Sequence, residues 1–395
     1  MVVKENNLLD ISVERIRNQF PCLKDIVYFN SGWTGPMPKC VYDAVNKSLQ
    51  NQMEVGGSTK PGVTAQVVEI KNAKSNIAQF FSTSPKNICL TPNTTLGINL
   101  ALNAYNWTSD DEIITTKDDH ASVLIPLYNL KDRYGVKIKL IDVDFSDPIS
   151  SFKKNISKNT KAAVFCHVFW TNGNALPLKE VIKGLREHGV VSIIDGAQSG
   201  GALDIKLDEI SPDFYSVPGQ KWLLGPVGTG FLYVNENLFN RRPPWPSILG
   251  YESSGDASDD GQYDLHCNWF PKKDAGVFEF GGLNNSLLCG LSSAMDFTTN
   301  IRKDLDIYKR IQILSEYLIQ KLKENPDIEV LTKRLHTGLV SWRHKKLSSN
   351  KLVSKLWVEK KILIREIPNF DFCRASVHFF NTKEEINLLV ESLKI

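Results

Sequence analysis

Short apolar runs closed by Gly, Pro or Asp recur along the chain and alternate with longer segments of helical spacing. Runs at 88–90, 112–116, 136–141, 162–166, 190–194 and 213–217 have the length and composition of buried strands. Between them, 66–81, 123–134 and 178–187 read as helices. Thr94 and Thr95 stand where a further helix begins, with Leu96, Leu100 and Leu102 available to face a core. Such alternation predicts an α/β fold with a mostly parallel sheet covered on both faces. Ligands of such sheets bind at the carboxyl ends of the strands, where Asp195 lies.

The flanks read differently. The first 58 residues hold a strand-like run at 26–30, a Gly/Pro loop and a helix at 39–52. From 241 to 273 the chain is rich in Pro, Gly, Ser, Asp and aromatics, a loop long enough to imply a function such as setting specificity. Beyond it, 285–323 is helical, strands are expected at 329–331, 338–342, 362–364 and 373–379, and helices at 350–359 and 382–393. The last helix opens with a Thr-x-x-Glu cap, Thr382 and Glu385. The expected division is an N-terminal segment, 1–58, joining a small α+β domain at 285–395, with a large domain at 59–284.

A chain of 395 residues exceeds one ordinary core. With 42% hydrophobic and 23% charged residues it has the balance of a soluble protein, and a net charge of +3 implies no nucleic-acid partner. The charged N-terminus lacks the apolar stretch of a signal peptide, and no apolar run reaches transmembrane length, so no membrane partner and a cytoplasmic location are expected. The seven cysteines (Cys22, Cys40, Cys89, Cys166, Cys267, Cys289, Cys373) are odd in number and dispersed, which argues against a disulfide framework or a structural zinc. The seven histidines show no metal-ligand spacing either, so no metal is expected.

The densest chemistry lies in 190–234. One apolar run ends in Asp195, followed by Gly196-Ala197-Gln198. The next leads to Lys221 and then to the glycine-rich turn 225–230, which lacks the Gly-Lys-Ser/Thr ending of a phosphate-binding Walker loop. An acid and a lysine at the ends of neighbouring strands suit pyridoxal phosphate (PLP). The lysine holds the aldehyde as a Schiff base, and the acid keeps the pyridine nitrogen protonated so that the ring draws electrons. Singly, each residue would pass for a turn acid or a surface lysine.

Several segments, in this order and spacing, carry a resemblance: YFNSGWTGPMP (28–38), NTTLGIN (93–99), DDHASVLIP (118–126), HVFWTNGNALPL (167–178), PGQKWLLGPVGTGFLYV (218–234), FEFGG (278–282) and CRASVHFFNTKEEINLLVESL (373–393). Over nearly its whole length the chain resembles the class V aminotransferase family of fold-type I PLP enzymes, and within it the cystine C–S lyases and isopenicillin N epimerase-like proteins. The resemblance implies a seven-stranded-type sheet in the large domain and a homodimer with its active site at the interface. It further implies Lys221 as the Schiff-base lysine, Asp195 as partner of the pyridine nitrogen, Gln198 on the ring hydroxyl and His120 stacked on the ring. Thr94 and Thr95 match the phosphate-binding pair, which a helix N-terminus also favours physically. Arg374 matches the arginine that grips the substrate carboxylate, with Asn30 beside the substrate.

Departures from the family pattern narrow the reading. Pro218-Gly219-Gln220 replaces the Ser-Gly-His of cysteine desulfurases, so a phosphate hydroxyl is missing and Gln220 stands for the histidine. Gly282 stands where a partner subunit of many relatives lends a threonine to the phosphate, and Trp170 replaces an asparagine near the ring. No cysteine precedes Arg374 on the loop where desulfurases carry their nucleophile. Cys373 adjoins Arg374, and neighbours on a strand face opposite ways; Cys267, in the long loop, is the other candidate. The expected reaction is therefore β-elimination on cystine or cysteine. Lys221 acts as base at Cα, and the eliminated fragment decays to pyruvate and ammonia. Epimerisation, transamination, desulfuration and a non-catalytic PLP-binding role are the alternatives.

Overall fold

The computed structural model describes residues 13–255, 263–333 and 336–394. A short N-terminal strand, β1 (Val27–Tyr28), precedes the Lys39–Val55 and Lys60–Phe80 helices. Then come β2 (Ile88–Leu90), β3 (Glu112–Thr116), β4 (Lys137–Ile141), β5 (Thr160–Cys166), β6 (Val191–Asp195), β7 (Phe214–Pro218) and β8 (Gly230–Val234). These last seven form one sheet in the order β2-β8-β7-β6-β5-β3-β4. Only β8 runs against its neighbours. All five residues of β6 and of β7 are buried, as strands covered on both faces require. Ala73, Ile77, Val181 and Leu185 pack on one face of the sheet, Ile98, Ala101, Val123 and Leu127 on the other.

The reversal between β7 and β8 has a direct consequence. Residues 219–229 leave the carboxyl end of β7 and return to the same edge, so Lys221 stays beside the end of β6. Gly219 N donates to Thr229 O (2.7 Å) and Gly225 N to Gly219 O (2.8 Å), which closes this loop. Gly219 is required there, because a Cβ would lie 2.1 Å from Thr229 Oγ1.

The carboxyl-terminal sheet contains β9 (Ile328–Val330) and β10 (Leu339–His344). Then β11 (Ile362–Leu363) leaves to pair in parallel with β1, before β12 (Arg365–Ile367) and β13 (Phe372–Ser376) complete the antiparallel order β12-β13-β10-β9. The strand expected at 362–364 is thus two strands serving two sheets, and the one expected at 373–379 ends at Ser376. Leu314, Leu318, Trp342, Leu352, Ile386 and Leu389 form the core beneath this sheet. The helix expected from 66 begins at Lys60, because Thr59 Oγ1 accepts from Gly62 N (3.2 Å) and caps it six residues earlier. The Thr382–Glu385 capping box forms as read. Among the described residues no helix is long and apolar enough to cross a membrane.

Buried Asp213 ties β7 to its neighbour: Oδ2 accepts from Ser192 N (2.9 Å) and Ser192 Oγ (3.0 Å), while Oδ1 pairs with Arg241. Asp213→Ala removes all three partners at once. The expected loss is about 3 kcal/mol, read as a lower urea midpoint with an unchanged slope.

Candidate functional site

A cleft of about 370 Å³ opens at the carboxyl ends of the central strands, lined among others by Thr94, His120, Asp195, Gln198, Lys221 and Arg374. A wider groove of about 890 Å³ lies between residues 13–17 and the Ile307–Lys323 and Lys383–Glu391 helices. Arg17 at its rim pairs with Glu385 (2.8 Å), and the groove lies away from the carboxyl ends of the central strands. The chemistry is in the smaller cleft.

Lys221 and Asp195 face each other across it. Desolvation pushes the Lys221 amine down to about 8, opposed by the attraction of Asp195 and helped by Arg374 and Arg365. Asp195, at the end of β6, accepts from Ala197 N through Oδ1 (2.8 Å), which leaves Oδ2 to the cleft. Gln198 donates through Nε2 to Gly32 O (2.8 Å) and accepts from Trp222 Nε1 (2.9 Å). The second N–H of its amide remains to give.

His120 caps the Ala121–Tyr134 helix, its Nδ1 accepting from Ser122 N (3.1 Å). That bond places the imidazole proton on Nε2. Burial lowers the His120 pKa; Asp195 opposes the shift, while Lys221, Arg374 and Arg365 reinforce it. Its ring meets Trp170 edge-on at 5.3 Å. Asp119, one residue earlier, anchors this turn. It accepts from Thr116 N (3.1 Å), Thr116 Oγ1 (2.5 Å) and Thr115 Oγ1 (3.2 Å), and across the sheet from Cys166 N (2.8 Å). Burial pushes its carboxyl up to about 6 against those bonds.

The Thr94–Leu102 helix points its N-terminus at the cleft. Asn93 Oδ1 caps Leu96 N (2.8 Å), so the amides of Thr94 and Thr95 stay available at the positive end of the helix. Ser122 Oγ links Thr95 Oγ1 (2.8 Å) to His120 Nδ1 (3.0 Å), joining this helix start to His120.

Several buried atoms around the cleft have no partner among the described residues: Thr94 Oγ1, Gln220 Oε1, Trp170 Nε1 and Arg374 Nε. Unpaired buried polar atoms are costly, and their convergence on one cleft marks a ligand. An enclosed amine, a facing carboxylate, a helix N-terminus and these free donors and acceptors fit PLP.

Two residues named from the sequence lie outside the lining. Asn30 sits behind it, its carbonyl accepting from Trp33 N (3.0 Å) and Thr34 N (3.2 Å) and its Oδ1 buried without a partner among the described residues. Gly282 is exposed, with φ +69°. None of the seven cysteines lines the cleft. Cys373 turns away from Arg374 toward Ser349 O (3.9 Å), and burial pushes its thiol up to about 12. Cys267 is exposed in the 263–269 turn, with φ +67°.

Arg365, Trp33 and Asp119 belong to the site and were not singled out from the sequence. Arg365 stands directly opposite Arg374 across β12 and β13, so both side chains leave the same face of the sheet. Arg374 donates through Nη1 to Trp170 O (2.6 Å). Desolvation, with Arg365 adding to it, pushes its guanidinium down to about 9, still charged at neutral pH. The only signal in the sequence was the nine-residue spacing of two arginines, which means nothing until the strands pair.

The pattern of the Aminotransferase class-V family matches residues 27–389. The chain is 27% identical, over 98% of its length and 98% of the other's, to a "probable cysteine desulfurase" of Methanothermobacter thermautotrophicus. It is 26% identical to a cysteine desulfurase of Salmonella typhimurium, over 96% of this chain and 97% of that one. Among solved structures, the complex of the cystine C–S lyase C-DES with its product cysteine persulfide superposes with a TM-score of 0.87 at 26% identity, covering 95% of this chain and all of that one. A C-DES mutant with glycine covalently linked to its PLP cofactor also gives 0.87, at 25% identity, covering 96% and 99%.

The lowered pKa of Lys221 predicts how the protein stripped of PLP takes it up again. Only the neutral amine attacks the aldehyde. The uptake rate should rise about tenfold per pH unit below pH 8 and level off above it, whereas an ordinary lysine would keep accelerating toward about 10.4. Stopped-flow absorbance of uptake between pH 6 and 10 measures this, with Lys221→Ala showing no covalent uptake.

Proposed function

Because the chain belongs to the class V aminotransferase family and is a PLP-dependent enzyme, we propose that it is a C–S lyase that cleaves cystine by β-elimination. The observation that carries this reading is the Arg365–Arg374 pair. Like charges directly opposite on adjacent strands repel, and among the described residues neither arginine has an ion-pair partner. Two guanidinium groups facing one cleft with Lys221 suit a substrate with two carboxylates, and cystine has two.

Each residue then has a task. Arg374 takes the α-carboxylate with the edge that its bond to Trp170 O leaves open. Arg365 receives the distal carboxylate. Asp195 Oδ2 would hold the pyridine N–H, the spare Gln198 N–H the ring hydroxyl, and His120 would cover the ring face. Thr94, Thr95 and the amides between them would hold the phosphate, with Gln220 nearby. When bound, PLP supplies the sink for the electron pair left at Cα. Lys221, neutral above about pH 8, takes the Cα proton as general base. The Cβ–S bond breaks with its electron pair going to sulfur, which departs as cysteine persulfide. Water converts the remaining half to pyruvate and ammonia.

Desulfuration, the activity named for several relatives, needs an enzyme thiolate at the substrate sulfur. The cysteines stand elsewhere, and this favours elimination. L-Cystine should therefore give pyruvate and cysteine persulfide in equal amounts, and Cys267→Ser and Cys373→Ser should each keep activity within about twofold. L-Cysteine turned into alanine in place of pyruvate, a reaction abolished by either substitution, would establish desulfuration instead.

The working form is proposed to be a homodimer, with Gly282 at the partner's phosphate. Tyr42, Leu49, Met53, Val63, Val67 and Val68 are exposed on the Lys39–Val55 and Lys60–Phe80 helices, an apolar surface of the kind that partners cover. Sedimentation at micromolar concentration should show a dimer; a monomer with full activity would overturn this.

A further inference from the structure

The Arg365 guanidinium makes no hydrogen bond to the described residues. Its Cζ lies over the Trp33 indole, 3.4 Å from the ring centroid. Both side chains line the cleft, yet Trp33 is 53% exposed. Packing therefore does not explain what keeps this indole in place.

Its backbone does. Tyr28 OH donates to Thr34 O (2.6 Å), and Trp33 N donates to Asn30 O. Gln198 Nε2 holds Gly32 O, and Gly35 N donates to Gln220 O (2.7 Å), one residue before the lysine. The segment is pressed so close that a Cβ on Gly35 would come within 2.4 Å of Lys221 O, and one on Gly32 within 3.1 Å of Arg374 Nη2. Trp33 is thus a platform referenced to the lysine, the ring-contacting glutamine and the carboxylate-gripping arginine together.

We infer that Trp33 is the specificity-determining positioning residue of the cleft: it holds Arg365 over its indole, N–H groups free, for the second carboxylate of the substrate. This rests on the dicarboxylate reading given above. A long arginine set opposite another cation would otherwise turn to solvent, where its charge is better hydrated. Stacking on an aromatic face offsets that tendency without occupying the N–H edges, which an ion pair with a protein carboxylate would block.

The test uses the holoenzyme and two amino acids that cannot eliminate. L,L-2,7-Diaminosuberate is cystine with its sulfurs replaced by methylenes; L-norleucine keeps only the α-carboxylate. Their dissociation constants are read from the change in cofactor absorbance. Trp33→Ala and Trp33→Leu should each weaken diaminosuberate about tenfold and change norleucine less than twofold, while Trp33→Phe stays within about threefold of the native protein. In an Arg365→Ala background, Trp33→Leu should have no further effect. Equal weakening of both ligands, or none, overturns the role of Trp33. If Arg365→Ala in that case weakens diaminosuberate while sparing norleucine, the dicarboxylate reading survives. If native enzyme and Arg365→Ala both bind the two ligands alike, that reading falls, and the role of Trp33 falls with it.

Discussion

The closed loop between β7 and β8 is the constraint on which the site depends. A parallel strand after β7 would have required a crossover that carried the chain to the far edge of the sheet. The antiparallel return keeps residues 219–229 at the edge where β6 ends, so Lys221 meets Asp195 without any long-range search. The two backbone bonds of Gly219 and Gly225 then fix the loop. With the lysine so enclosed, burial lowers its pKa, and the same burial lowers that of His120. One topological choice thus supplies both the position and the reactivity of the amine.

Around that centre, three separate parts of the chain lock onto one another. Asp119 pins the turn before His120 to β5 through Cys166 N. Segment 30–35 bonds to both Gln198 and Gln220, and β13 brings Arg374 to the carbonyl of Trp170. The consequence is a cleft that is rigid where the ring and phosphate would lie. Its uncompensated charge is concentrated where the substrate would enter. Two arginines paired across β12 and β13 cost stability in the absence of an anion. Such a local cost is common where a protein keeps a site ready for its ligand.

Much of this was legible in the sequence because it is local. Apolar runs of five residues ending in Asp or Pro read as strands, the Thr382–Glu385 cap read as a helix start, and the spacing of Asp195, Gln198 and Lys221 read as a PLP site. The misread boundaries have local causes too. Thr59 starts a helix six residues before its apolar periodicity begins. The 362–367 stretch divides between two sheets, which no periodicity can announce. Arg365 and Trp33 were passed over for another reason. Each is an ordinary surface residue until β12 pairs with β13 and segment 30–35 folds over the lysine loop.

By itself, the sequence determined the alternation of strands and helices, the family and the residues proposed to hold the cofactor. Those follow from periodicity and from short motifs whose members are neighbours along the chain. The tertiary structure alone decided which residues face the cleft. Cys373 and Arg374 are adjacent in sequence and point to opposite faces of β13, whereas Arg365 and Arg374 are nine apart and face each other. Strand pleat and cross-strand register set those directions, and register is fixed by packing between distant segments rather than by the residues at either position.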